Sequence, residues 1–192
     1  MTDKNFIKRY PTIGCCGIDC GMCPTYYTKG ISKCVGCCGD EFSNSHPSCS
    51  IVTCCVKKKN LETCADCEDF PCSKLKDWDT VDSFVSHRNS ISNLKDIKNQ
   101  GIEDFIQQQK TRMGILKIML NNFNDGRSKS FYCIATTLLP IHVLHEALIK
   151  CKERIISKKV MDENIKTQAK ILKDLLNQYA KIERIHLKLR KK

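Results

Sequence analysis

Thirteen of the fifteen cysteines lie between Cys15 and Cys72, at spacings that bring several sulfurs onto one centre. Cys20/Cys23, Cys34/Cys37 and Cys64/Cys67 are C-x-x-C pairs. In such a pair one tight turn aims both sulfurs at the same metal, and backbone N–H groups donate to the thiolates. Cys16, Cys49, Cys54 and Cys72 stand around the pairs and complete a set of ten candidate ligands. Cys15, Cys38 and Cys55 each adjoin another cysteine and are spares, able to exchange as ligands or to act as low-pKa thiols.

Three chemistries use thiols in this density. Disulfides need an oxidising compartment. The first ten residues carry no apolar run like a signal peptide, and no stretch is apolar for the roughly 18 residues of a spanning helix. We therefore expect a soluble, cytoplasmic protein with reduced thiols, which leaves metal. Zinc takes four thiolates, so ten fill two sites with two sulfurs over, or one four-cysteine site and a two-zinc cluster sharing six. Structural zinc is the leading expectation, because three knuckles with glycine turns are what such sites use. The alternative is an iron–sulfur cluster in a redox or electron-transfer protein. Cys16, Cys20 and Cys23 also have the C-x3-C-x2-C spacing of radical S-adenosylmethionine enzymes, but no βα repeats follow to build their barrel.

These spacings resemble those of the cysteine-rich family known as domain of unknown function 3795. The resemblance is carried by C-G-I-D-C-x-x-C-P at 16–24, C-V-G-C at 34–37, C-S-I-V-T-C at 49–54 and C-A-D-C-E-D-F-P-C at 64–72. It continues more loosely through Lys110-Thr111-Arg112-Met113 and the segment from Asn124 to Cys133, and the last fifty residues lie outside it. Val52 stands where family members often have arginine, and the insert between Cys23 and Cys34 is shorter than theirs. The resemblance implies metal binding by the ten cysteines and no particular reaction.

The elements that must carry these ligands divide the chain. Residues 1–76 are poor in leucine and rich in turns, a composition that needs staples to fold, so we expect a small, irregular, metal-stapled module. Residues 77–192 read as an all-α region. Val81, Phe84 and Val85 suggest a short helix capped by Asp79 or Thr80, and Ile91, Leu94 and Ile97 another ended by Gly101. A stripe from Ile102 to Phe123 repeats every 3.6 residues and stops at Asn124-Asp125-Gly126. Phe131, Ile134, Ala135 and Leu138 form the apolar face of the next helix, and Pro140 opens one through Leu144, Leu148 and Cys151. The last helix is expected from about Val160, with Leu172, Leu175, Tyr179, Ile182 and Leu189 on one face, suited to the bundle or to self-association.

Charge narrows the partners. Residues 140–192 carry fourteen basic and six acidic groups, +8 of the chain's +11. A basic C-terminal helix can attract nucleic acid, but acids are interleaved and no base-reading motif accompanies them, so a solvated helix face and a protein partner are favoured. Lys29, Lys33 and Lys57-Lys58-Lys59 can offset the negative charge of tetrathiolate sites. Asp19 is read as a cap on its own turn rather than a base, and Glu68 and Asp69 as turn or surface acids. His142 and His145, with Glu146, have metal-pair spacing on a helix, although His145 falls close to the apolar face and reads as a core histidine. Cys133 and Cys151 read as buried thiols. Gly126-Arg127-Ser128-Lys129-Ser130 could cradle an anion but fits a serine-capped connector better.

Overall fold

The structure is a computed structural model and describes residues 7–42, 46–159 and 164–191. An irregular cysteine-rich region up to about residue 90 is followed by an all-α region, with no strand among the described residues. By compactness the chain forms two units, residues 1–109 with 189–192, and residues 110–188.

In the first unit the cysteine region holds only short turns: 3-10 segments at Cys20–Met22, Cys64–Asp66 and Ser73–Leu75, and a helical turn Ser50–Val52 that widens into a π-helix at Thr53–Lys58. Helix α1 is Ser90–Gln100, ended at Gly101, whose φ is 91°. Leu94 and Ile97 of α1, with Ile106 of α2 (Ile102–Asn122), bury against Ile13, Ile51, Val52, Val56, Leu75 and six cysteines. The module's aliphatic core is therefore completed by three residues of the helices that follow it in sequence.

Residues 77–89 contain no helix, contrary to the pattern of Val81, Phe84 and Val85. Buried Asp82 explains the difference. Its carboxylate accepts from the His87 amide at 2.8 Å and the Arg190 amide at 2.7 Å, while its own N–H donates to the Arg190 carbonyl at 3.1 Å. The Arg190 guanidinium also reaches Asp82 at 3.1 Å and the Asp79 carbonyl. These bonds hold the segment open as a loop.

Burial pushes the Asp82 carboxyl up, but the bonds from the Arg190 side chain and backbone and from His87 outweigh it and hold the group at about 2. A depressed folded-state value stabilises the fold above the ordinary carboxylate range. That contribution is lost as pH falls from about 4 through about 2. We predict that Asp82→Asn lowers the stability of this unit by about 3 kcal/mol at neutral pH, because it leaves Arg190 and Arg88 without their buried anion. The same variant removes this group's share of the acid sensitivity, and unchanged urea midpoints at pH 7 would contradict the assignment.

The second unit contains the rest of α2, then α3 (Lys129–Leu138), α4 (Ile141–Ser157) and α5 (Ile165–Ile182). Leu144, Ala147, Leu148 and Cys151 of α4 are buried, as are Ala169, Leu172, Leu175, Leu176 and Tyr179 of α5, and the two helices pack together. The expected start of α5 near Val160 lies outside the described residues. Its end comes earlier than the stripe suggests: Arg184 has φ 56° and the Ile185 amide bonds back to the Ala180 carbonyl, so Ile182 is exposed and Leu189 lies beyond the helix.

Helix α3 buries Tyr132, Cys133, Ala135, Thr136 and Thr137, a face rotated from the expected Phe131, Ile134 and Leu138. Polar burial is tolerated because every hydroxyl is satisfied: Tyr132 donates to the Phe123 carbonyl, and Thr136 and Thr137 to carbonyls four residues back. Gly126-Arg127-Ser128 is the connector, and Lys129 and Ser130 open α3. Asp125 itself accepts from the Arg127 amide, the Ser128 hydroxyl and Lys173 at 3.3 Å, so the loop's own carboxylate takes the anion's role.

Candidate metal centre

Each knuckle is built by local hydrogen bonding. The Cys23 amide closes its turn on the Cys20 carbonyl at 3.1 Å, and the Gly21 amide ties it to the Thr12 carbonyl at 2.7 Å. The Gly36 amide points at the Cys34 sulfur at 3.4 Å, while the Cys37 amide anchors to the Pro11 carbonyl at 2.8 Å. Thr63 and Asp66 form a capping box over Cys64–Asp66, and the Cys67 amide returns to the Cys64 carbonyl at 3.2 Å. Polar contacts to sulfur recur elsewhere: Thr25 Oγ1 and Cys23 Sγ share a hydrogen bond at 2.9 Å, and Lys59 Nζ donates to Cys67 Sγ at 3.1 Å. These are the outer contacts that thiolate ligands use.

The ten candidate ligands line two cavities. Cys16, Cys20, Cys23, Cys34, Cys37 and Cys49 face a cavity of about 200 Å³, together with the apolar Ile18, Val52, Phe84 and Val85, and with Trp78, His46 and His87. Cys54, Cys64, Cys67 and Cys72 face a smaller one of about 40 Å³, with Lys59 and Asp69 beside them. No candidate ligand lines both. Of the spares, Cys15 belongs to the larger cavity and Cys55 to the smaller.

The Cys15 thiol acts electrostatically on those of Cys37 and Cys55, and Cys55 on Cys64, so these sulfurs are neighbours between the two cavities. Cys15 is 1% exposed and Cys55 3%. Cys38 is also buried, and Cys37 beside it raises its thiol. Among the described residues, no three Cys, His, Asp or Glu side chains gather as the shell of a single ion.

Burial and neighbouring thiols shift the sulfurs in opposite directions. Burial pushes the Cys16 thiol up to about 12, and it raises Cys20 with help from neighbouring Cys37 and Cys16. Hydrogen bonds from Cys15 and Cys38 lower Cys37 despite its burial, and those from Cys15 and Cys64 lower Cys55. Crowded, desolvated thiols resist ionising together unless positive charge is supplied, and a coordinated metal ionises its thiols outright.

One fixed cation is already present. The Lys8 side chain is 1% exposed, bonded to the Ile13 carbonyl at 2.6 Å, and close enough to favour the thiolates of Cys20, Cys37, Cys38 and Cys55. Nothing in the sequence singles out Lys8, which sits in an ordinary basic N-terminal stretch. Lys59, by contrast, belongs to the lysine run expected to face the sulfurs, and it also pairs with Asp69 at 2.6 Å.

Other expected residues lie elsewhere. Asp19 is 6% exposed and makes no cap on its own turn; it accepts from Asn93 of α1 at 3.1 Å and Gln109 of α2 at 2.8 Å, clamping the cysteine loop to both helices. His142 and His145 are exposed on α4. His145 follows buried Leu144 by one residue, which turns it roughly 100° from the apolar face. Glu146 pairs with Lys150 at 2.7 Å. Cys133 and Cys151 are buried core thiols.

No known family, no curated protein and no solved structure matches the chain. The arrangement of its own sulfurs has to carry the functional reading. No helix among the described residues is long and apolar enough to cross a membrane.

Proposed function

We propose that this is a metal–thiolate protein in which two centres in the N-terminal unit order the fold, with the helices offering a surface to a protein partner. The observation that supports it is the division of all ten candidate ligands, six and four, between two sulfur-walled cavities. That division matches one four-cysteine site plus a six-cysteine cluster, among the combinations that zinc allows. Amide and ammonium donors directed at Cys34 and Cys67, and the buried charge of Lys8, support the same reading. The resemblance of the cysteine spacing to domain of unknown function 3795 agrees with it.

Metal analysis of the purified chain and its variants tests the proposal. Cys37→Ala and Cys64→Ala are each expected to lose the metal of one centre. Cys15→Ala and Cys55→Ala, which remove sulfurs between the two cavities, are expected to keep the full amount. Stoichiometric metal in none of the proteins would refute the reading, and equal losses in all four variants would refute the division of ligands from spares.

A further inference from the structure

We infer that the larger cavity is also a receptor for a small neutral molecule, about the size of one aromatic ring and carrying a hydrogen-bond acceptor, and that residues 78–87 are the wall built to take it. This rests on the metal–thiolate reading above. Room is the first argument. The smaller cavity, about 40 Å³ among four candidate ligands, is little larger than the roughly 30 Å³ of one water molecule and leaves space for a single ion. The larger one has only two more candidate ligands but measures about 200 Å³. Zinc sits about 2.3 Å from its sulfurs and fills little space of its own. An apolar cavity of about 150 Å³ takes up benzene, so the larger cavity has room for a ring beside its metal.

The wall is the second argument. Besides the cysteines, Trp78, Phe84, Val85 and His87 of one segment line the cavity, with Ile18 and Val52 of the cysteine region. No Lys, Arg, Asp or Glu lines it among the described residues, which selects a neutral, apolar molecule over an ion. Val85 is buried, while Phe84 is 60% exposed and stands where the cavity meets solvent. The segment takes this position without forming a helix because the Asp82 carboxylate accepts from the His87 and Arg190 amides. The wall is thus preformed, and Arg190 helps to hold it in place.

An unused donor is the third argument. The His87 ring is occupied within the segment: one nitrogen lies 3.1 Å from the Trp78 carbonyl oxygen and the other 3.0 Å from the Ser83 hydroxyl. The Trp78 ring lies against it, with centroids 4.9 Å apart. The Trp78 indole N–H is buried and has no hydrogen-bond partner among the described residues. Buried donors are rarely left unpaired, and a donor-only group in the lining of an apolar cavity asks for an acceptor from the molecule that enters. A flat ring bearing a carbonyl oxygen meets the room, the lining and the donor together.

The test uses the full chain purified with its metal and titrated with toluene and with acetophenone, which differ by one carbonyl group. Binding is followed on the probes' own NMR signals and on the indole N–H resonance of Trp78, the chain's single tryptophan. We expect one site for each probe, about fivefold tighter for acetophenone through the added hydrogen bond, and an indole resonance that moves with acetophenone. Val85→Trp fills the cavity and is expected to lose both probes with its metal content unchanged. Trp78→Phe keeps a ring but no donor and is expected to bind the two probes equally, which decides the matter even where the larger substitution is not tolerated. Three results each overturn this inference and leave the metal–thiolate reading standing: a fully metal-loaded wild-type protein that binds neither probe, a metal-loaded Val85→Trp protein that binds both undiminished, or a Trp78→Phe protein that still prefers acetophenone. A chain that takes up no metal overturns that reading and this inference with it.

Discussion

Stripping the metal from the chain under reducing, oxygen-free conditions is expected to unfold the cysteine-rich unit and to leave most of the helical signal of residues 110–188. The physical ground is the composition of the first unit's core. Of the buried residues that form it, six are cysteines, and the aliphatic remainder is small: Ile13, Ile51, Val52, Val56, Leu75, Leu94, Ile97, Ile106 and Ala65. Between Cys15 and Thr63 the described residues form no regular element longer than the π-helical Thr53–Lys58. Chain entropy of about 1–2 kcal/mol per ordered residue therefore has little apolar burial to set against it.

A tetrathiolate zinc site contributes roughly 10–16 kcal/mol, and a domain's whole net stability is about 5–15 kcal/mol, so loss of even one centre exceeds what remains. The second unit has no such dependence. Leu116, Met119, Leu139, Leu144, Leu172, Leu175 and Leu176 are each no more than 1% exposed there. The chain's single tryptophan, Trp78, lines the larger cavity and reports on it directly. Its emission is expected to shift to the red on metal removal while far-UV helicity falls only in part. Unchanged tryptophan emission in metal-free protein would show that the sulfurs are not the staple.

What the sequence made legible follows the range of the interactions involved. The knuckles at Cys20, Cys34 and Cys64 are tight turns between near neighbours, so spacing alone locates them. Helix α1 ends at Gly101 and α2 follows its 3.6-residue stripe for the same reason: the signal is local and repeated. The division of the ten candidate cysteines between two cavities depends on chain reversals across tens of residues, which spacing does not encode. The Asp82–Arg190 pairing spans 108 residues and cancels a helix that Val81, Phe84 and Val85 suggest.

Polar residues misled for a related reason. Thr136 and Thr137 are buried because their hydroxyls bond the helix's own backbone, and a hydropathy stripe has no means of registering that. Lys8 shows the converse case: a lysine at the edge of the sequence motif is among the least exposed side chains of the site. A buried cation beside clustered thiols is a signal only when both positions are known.

Gly17→Ala is expected to cost about 4 kcal/mol or more of stability. Gly17 has φ +84°, which costs an L residue about 1–2 kcal/mol, and a methyl there would run into the Ser90 carbonyl oxygen and meet the Leu94 side chain at 2.9 Å. The loop cannot move away cheaply. Its carbonyl accepts from Asn93 Nδ2 at 2.8 Å, its amide donates to the Gly14 carbonyl at 2.8 Å, and Asp19, two residues on, is held by Asn93 and Gln109. Gly17 is thus the point where the first cysteine loop lies directly on the start of α1. A displacement there shifts Cys16 and Cys20 on either side of it, so the larger centre is expected to lose metal along with stability. Gly30→Ala separates the two contributions: φ is +79° and nothing lies within 4 Å, so that variant carries conformational strain without the collision. Urea midpoints and metal content of both variants measure the difference. A Gly17→Ala protein no less stable than Gly30→Ala, with full metal, would show that the loop does not rest on the helix in this way.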